Sequence, residues 1–365
     1  MSPRLPDYVD DTKDQVYSQA SMAGGFGGLL ANSETVDRLL SEMDPADKKS
    51  LQSWYWFDWA NQAFALTVIT VVVPTLLSNM FNLANGGSAD YAGMTFTGDS
   101  FYAVVLGISS VFVAIVSPVL GAIADRMPIK KKVLKVYTVV GILFTGLMGL
   151  APYMDDNSSY KFLAVCLIMG NIGFAGGHAI YSAFLPYLGD KRLMDHISSW
   201  GYAYGFLGGC ILLTVHLAVG LRFGFENPDV QCFVFVTSAL WWLGFSVPMF
   251  RNTPEPEIPN PTEYPNVFEA VKDGLREIKS TFSEIRRYKV LSLFMCGYLL
   301  FYDGVNAIGG LAAAYADSVL RIDFTMNFVL LLSANIVAIP MTIIGASLAS
   351  KYGNKNILGL SLIHI

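Results

Sequence analysis

Eight apolar runs alternate with short polar segments along this chain. They cover residues 54–80, 101–124, 133–153, 161–187, 198–220, 230–250, 290–315 and 324–350. A bilayer core about 30 Å thick needs roughly 20 residues of helix to cross it. Lipid offers no partner to a free backbone group, so each run predicts a membrane-spanning helix. Between the sixth and seventh runs the pattern changes. Residues 251–265 are rich in Pro and Glu and predict a flexible linker. Beyond it, Val267, Ala270, Val271, Leu275, Ile278, Phe282 and Ile285 form an apolar stripe at helical spacing. Asn266 is placed to cap that helix, with Glu269 as its capping-box partner. The expectation is an amphipathic helix on the membrane surface, serving chiefly as a bridge between two groups of spans. Residues 33–49 carry a shorter stripe through Val36, Leu39, Leu40 and Met43, which predicts a helix either solvated or resting on the membrane. Residues 1–31 have no periodicity and predict disorder.

Charge orients the runs. Of the 24 Lys and Arg residues, only Lys161, Arg222 and Arg321 fall on one set of alternating loops; the other 21 fall on the opposite set. By the positive-inside rule the N-terminus and the long central linker are expected in the cytosol. The other side carries Asp90, Asp99, Asp155 and Asp156, and the glycosylation sequon Asn157-Ser158-Ser159. Composition agrees with a membrane protein: 53% hydrophobic, 15% charged, mean hydropathy +0.46. A net charge of −5 offers no general basic surface, so no nucleic-acid partner is expected. Cys166, Cys210, Cys232 and Cys296 lie in or beside apolar runs and read as packing residues rather than a disulfide framework or a metal set. No signal peptide precedes the first run.

Two kinds of motif carry candidate chemistry. The second run closes on Gly121-Ala-Ile-Ala-Asp125-Arg126-Met-Pro-Ile-Lys130-Lys131-Lys132. Gly121 would let two helices approach closely. Asp125 and Arg126, beside Lys130, would form a charge latch between helix ends. A degenerate second copy, Ala346-Ser-Leu-Ala-Ser350-Lys351-Tyr-Gly353-Asn-Lys355, follows the eighth run. The first run contains Phe57-Asp58-Trp59-Ala60-Asn61, and the seventh contains Tyr302-Asp303-Gly304-Val305-Asn306. Each places an Asp and an Asn three residues apart, on one helix face. Charged groups inside a membrane are costly and mark pathways. Asp58, Asn61, Asp303 and Asn306 are therefore candidate cavity residues, with Tyr181 and His178 of the fourth run as further candidates; the alternatives are an interfacial, structural role for Asp58 and a packed, hydrogen-bonded histidine at 178. The glycines of the fourth and fifth runs predict close helix packing. No nucleophile–base set, zinc motif or phosphate loop is present in the sequence, so no enzyme activity, cofactor or metal is expected.

The first of these loops resembles the signature loop of the major facilitator superfamily, G-x-x-x-D-R-x-G-R-K, with Pro128 in place of the second Gly and Ile129 in place of the first basic residue. Trp56-Phe57-Asp58-Trp59-Ala60-Asn61-Gln62, Phe184-Leu185-Pro186, Ser198-Ser199-Trp200-Gly201-Tyr202 and Tyr302-Asp303-Gly304 are similar to the vacuole effluxer (autophagy-related) branch and its bacterial-type relatives. The resemblance covers about residues 52–359. It implies an all-α polytopic membrane protein of the major facilitator fold, with twelve spans in two six-helix bundles. The expected organisation is a leader (1–50), a complete N-terminal bundle (51–250), a linker (251–289) and a partial second bundle (290–359). It also implies a secondary transporter of small polar solutes working by alternating access. Amino acids leaving the vacuole are the solute suggested by the fungal members, and protons are the candidate coupling ion. The other readings are a non-transporting receptor or scaffold, and an inactive fragment. Residues 360–365, LSLIHI, match one reading frame of a sequencing adapter, and the native sequence is expected to end near Gly359.

Overall fold

The computed structural model describes residues 36–258 except 92, together with 261, 262, 264, 267–284, 288–353, 356 and 357. The disorder expected at 1–31, the Asn266 cap and the last six residues lie outside these. The architecture is all-α and polytopic. Seven described helices are long and apolar enough to cross a membrane. The eighth predicted crossing, the seventh run, is helical over Lys289–Ser318, with Lys289–Tyr302 as its described apolar part.

The chain enters through a short helix, α1, at 36–42. The sequence predicts one helix over 33–49, but the structure breaks it. Asp44 takes an extended ψ of 146° ahead of Pro45, which begins α2 (Pro45–Gln62). Proline disfavours helical backbone in the residue before it and suits the first helical position. Val36, Leu39, Leu40 and Met43 are partly buried against Leu51, Trp54, Leu188, Leu193 and Ile197. Helix α1 thus packs one face on the protein itself and leaves Arg38 and Glu42 on its exposed face.

The first span is continuous from Pro45 to Asn85. Its middle, Ala63–Val72, is wound as a π-helix before α3 (Val73–Asn85) resumes α geometry. The Thr70 hydroxyl donates to the Ala65 carbonyl, five residues back, at 2.7 Å. Gly86, at φ +67°, ends the span in the left-handed conformation that glycine adopts without strain. A two-stranded hairpin follows, β1 (Ala89–Tyr91) against β2 (Met94–Phe96), with Ala89 opposite Phe96.

The remaining helices are α4 (Gly98–Ala124), α5 (Lys130–Met148), α6 (Asp156–Ser182), α7 (Met194–Phe223), α8 (Pro228–Asn252), α9 (Val267–Glu284), α10 (Lys289–Ser318) and α11 (Phe324–Tyr352). Several of the spans that start on the acidic side have side-chain caps. The Ser100 hydroxyl accepts from the Thr97 N–H, Asp155 from Ser158, Asn227 from Asp229, and Asp323 from Thr325 and Met326. Such caps satisfy orphan N–H groups, and an anionic cap also complements the helix dipole. Of the acidic residues seen in the sequence on this side, Asp155 is such a cap.

Glycines set the helix spacing, as the sequence predicts for the fourth and fifth runs. A Cβ on Gly173 of α6 would collide with the Gly141 backbone of α5. On α7, side chains of the first span fill the places where Gly201, Gly205 and Gly208 lack one: Trp54, Asp58 and Trp59 respectively. The main core runs through the first six spans, around Phe64, Leu163, Leu167, Phe235 and Trp242. Helix α11 joins it through Phe328, which is fully buried and 5.4 Å from Phe225. Helix α10 leaves Val290, Leu293 and Leu300 exposed.

Candidate functional sites

Asp58 and Asn61 sit one helical turn apart on α2, each only 2% exposed. Glycine admits them: a Cβ on Gly205 would stand 2.8 Å from the Asp58 Oδ2. Among the described residues, neither the Asp58 Oδ1 nor the Asn61 Oδ1 has a hydrogen-bond partner. The hydroxyl of Thr67, further up the same span, is likewise buried without one. Leaving a buried acceptor unpaired costs about 1–3 kcal/mol, and more for a charged group. The Asp58 carboxyl lies within electrostatic reach of Tyr181 on α6 and Tyr202 on α7.

Tyr181 is a fastening. Its hydroxyl donates to the Trp54 carbonyl at 3.2 Å, and the Trp54 indole donates back to the Tyr181 carbonyl at 3.3 Å. The two rings stack at 4.4 Å and 9°. His178 lies one turn away, its ring 5.7 Å from that of Tyr181, with a buried Nδ1 that has no partner among the described residues. The α2 face therefore brings Asp58 and Asn61 together with Tyr181, and His178 stands just behind.

Asp303 and Asn306 lie on α10, but their side chains are outside the described residues. The neighbouring Tyr298 and Tyr302 are described and stack at 5.6 Å. Both lie within electrostatic reach of Tyr202, which also faces Asp58. Tyr202 thus stands between the first span and α10. Sequence reasoning did not single it out as a site residue; its only signal was its place in a family-like string.

The basic-side loop differs from its expected wiring. Asp125 and Arg126 reach different helices. Asp125, which caps the end of α4, pairs with Lys130, the first residue of α5, at 2.8 Å and so links those two helix ends. Lys130 is buried and stands 4.9 Å over the Tyr187 ring. Arg126 instead reaches the linker helix, with Nη1 2.7 Å from the Asp273 carboxylate. At Gly121, none of the described residues lies within 4 Å of where its Cβ would be. The close glycine is Gly274 on α9, whose Cβ would sit 3.3 Å from Val119 and Ile123 on α4.

Around this contact the linker wraps the loop. The Tyr264 hydroxyl donates to Asp273 at 2.7 Å, and that carboxylate holds the phenol above its usual pKa. The Thr262 N–H donates to the Arg126 carbonyl at 2.9 Å. The Lys131 N–H donates to the Glu255 carboxylate, and the Lys131 ammonium to the Thr253 carbonyl. Asp273 and Glu255 carried no sequence signal, because their partners Arg126 and Lys131 lie more than a hundred positions away. In the second copy of the motif, Lys351 stands over the Tyr352 ring; the side chain of Ser350 and all of Lys355 lie outside the described residues.

A family model described as "Vacuole effluxer Atg22 like" matches residues 46–363. The chain belongs to this vacuole effluxer family. The match takes in Asp58–Asn61, both signature loops and the linker helix. An uncharacterized MFS-type transporter of Bacillus subtilis, YxiO, is 27% identical over 86% of this chain and 71% of its own length. Autophagy-related protein 22 of Kluyveromyces lactis is 21% identical over 82% of this chain and 66% of its own. The protein of the same name from Vanderwaltozyma polyspora is 19% identical over 88% and 70%. The chain therefore spans about two thirds of the length of these relatives. With its apolar helices, this Atg22-like chain is a multi-pass membrane protein of a transporter family, and a lipid bilayer is its setting.

Proposed function

We propose that this Atg22-like chain is built as a secondary-active transporter of small polar solutes by alternating access, with amino acids as the solute class. Asp58 and Asn61 carry the reading: two buried acceptor oxygens, one turn apart, with no partner among the described residues. An ammonium group has three N–H donors and a positive charge. It would satisfy both oxygens at once and relieve the cost of burying them. Tyr202, and Asp303 with Asn306 on α10, would complete the cavity between two six-helix bundles, the first formed by residues 51–250. Tyr181 would hold α6 against α2, and His178 would serve as a secondary polar group. Protons are the proposed coupling ion. The N-terminus and linker face the cytosol in this reading, and a vacuolar membrane fits the fungal relatives.

The gate in this reading is the basic-side loop. Lys130 and Asp125 keep the loop folded on itself, and Arg126 ties it to the linker helix. The test is uptake of the radiolabelled protein amino acids, one at a time, into proteoliposomes holding the purified chain. At least one amino acid should accumulate, and Asp58→Asn should cut its uptake tenfold or more. Uptake equal to that of empty liposomes for the whole panel sinks the amino-acid reading.

A further inference from the structure

Helix α9 has two apolar sides, and only one is occupied. Ala270 is buried, and Gly274 lies in contact with α4. Phe268 and Leu275, two turns apart on another side, are 74% and 53% exposed. Lys272 and Lys279 form an exposed row beside them, also two turns apart, with Arg276 one turn from Lys272. Arg276 leans on Asp273 at 3.8 Å and stays largely exposed. The acidic residues Glu269, Asp273, Glu277 and Glu284 fall on the remaining arc of the helix. Apolar, basic and acidic strips thus follow one another around α9.

Depth fixes what the apolar strip meets. Helix α4 has 27 residues and is about 40 Å long, against a hydrocarbon core of about 30 Å. Centred in the bilayer, it would extend about 5 Å beyond the core at each end. Val119, five residues from the end of α4, then lies near the boundary between acyl chains and headgroups. Because α9 touches α4 at Val119 and Ile123, its exposed strip is held at that boundary.

We propose that this outer face of α9 is a docking surface for anionic phospholipid. Phe268 and Leu275 enter the acyl boundary, and Lys272, Arg276 and Lys279 reach up to headgroup phosphates. Basic residues flanking an apolar strip are the arrangement that binds such an interface, and long basic side chains cover apolar surface while keeping their charge in water. The contact depends on the chain being a membrane protein and not on what it carries.

The experiment is amide hydrogen exchange across Val267–Glu284 in the purified chain. It compares nanodiscs of pure phosphatidylcholine with nanodiscs holding about one third phosphatidylglycerol. Basic groups at an anionic surface contribute about 1 kcal/mol each, so three predict exchange slower by about a hundredfold in the anionic discs. Lys272→Gln with Lys279→Gln should remove most of that difference, and high salt should shrink it. Substituting Arg276 as well should remove the rest. Phe268→Ser with Leu275→Ser should speed exchange in both lipids. Equal exchange in the two compositions overturns the proposal. So does an anionic-lipid effect that survives the Lys272, Arg276 and Lys279 substitutions. Equal protection by inorganic phosphate in neutral discs would also overturn it, by assigning the site to a free anion.

Discussion

The two polar clusters of this protein are built in opposite ways. On the basic side, Arg126, Asp273, Tyr264, Lys131 and Glu255 are joined across the linker by charge-assisted bonds of 2.6–2.9 Å. Inside the first span, Asp58 and Asn61 each keep a buried oxygen with no partner among the described residues. A satisfied network holds two segments in register. An unsatisfied one costs stability and persists when something outside the chain satisfies it. Burial alone does not separate the two, since Lys130 in the basic-side loop is nearly as buried as Asp58. What separates them is how far the described residues supply the partners: Glu255 Oε2 is paired although its Oε1 is not, while neither Asp58 Oδ1 nor Asn61 Oδ1 has one.

The contrast breaks most severely at Gly205. A Cβ there meets Asp58 Oδ2 and the Gln62 Cγ, both on α2. Gly205→Val should destabilise the protein by about 3 kcal/mol, through forced separation of α2 and α7. Thermal unfolding in detergent measures it. Asp58→Asn should act in the other direction: uptake falls tenfold or more, while the unfolding temperature holds or rises slightly. A fall in both would mean that Asp58 is structural.

The basic-side cluster should answer first in stability. Asp273→Asn should cost about 1 kcal/mol, because the Arg126 pair is only partly buried and is screened by water. A double-mutant cycle with Arg126→Gln should show coupling that declines with salt. The smallest expected effect is at Asp190, in the loop between α6 and α7. Arg192 donates to both of its oxygens and holds its pKa down at about 2. A lowered folded-state pKa stabilises the fold above the unfolded value of about 4 and loses that contribution as pH falls toward 2. Asp190→Asn should flatten the stability curve in that window. Its exposure keeps the change small.

The spans were legible because hydrocarbon leaves the chain few alternatives. Seven of the eight runs appear as spanning helices, most with ends a few residues longer than predicted. The π segment was not legible, since its Val- and Thr-rich run reads the same in α or π winding. The hairpin at 89–96 was also missed; its short strands are too brief for a period to show. The Asp–Asn pair could be read because both residues lie on one helix and local spacing fixes their shared face. Asp273 could not, because its role depends on where the linker returns in space. Gly121 shows the converse: a glycine in a familiar pattern has open space in front of it, and Gly274 makes the close contact instead.

The paired bonds between Trp54 and Tyr181 have a mechanical consequence. A single bond between two rods leaves them free to pivot about it. Here each side chain reaches the other's backbone, so the bonds run in opposite directions and remove that pivot. The first and fourth spans are thereby made one stiff strut at this level. Any rocking of the molecule must find its compliance elsewhere, in contacts without such a double fastening.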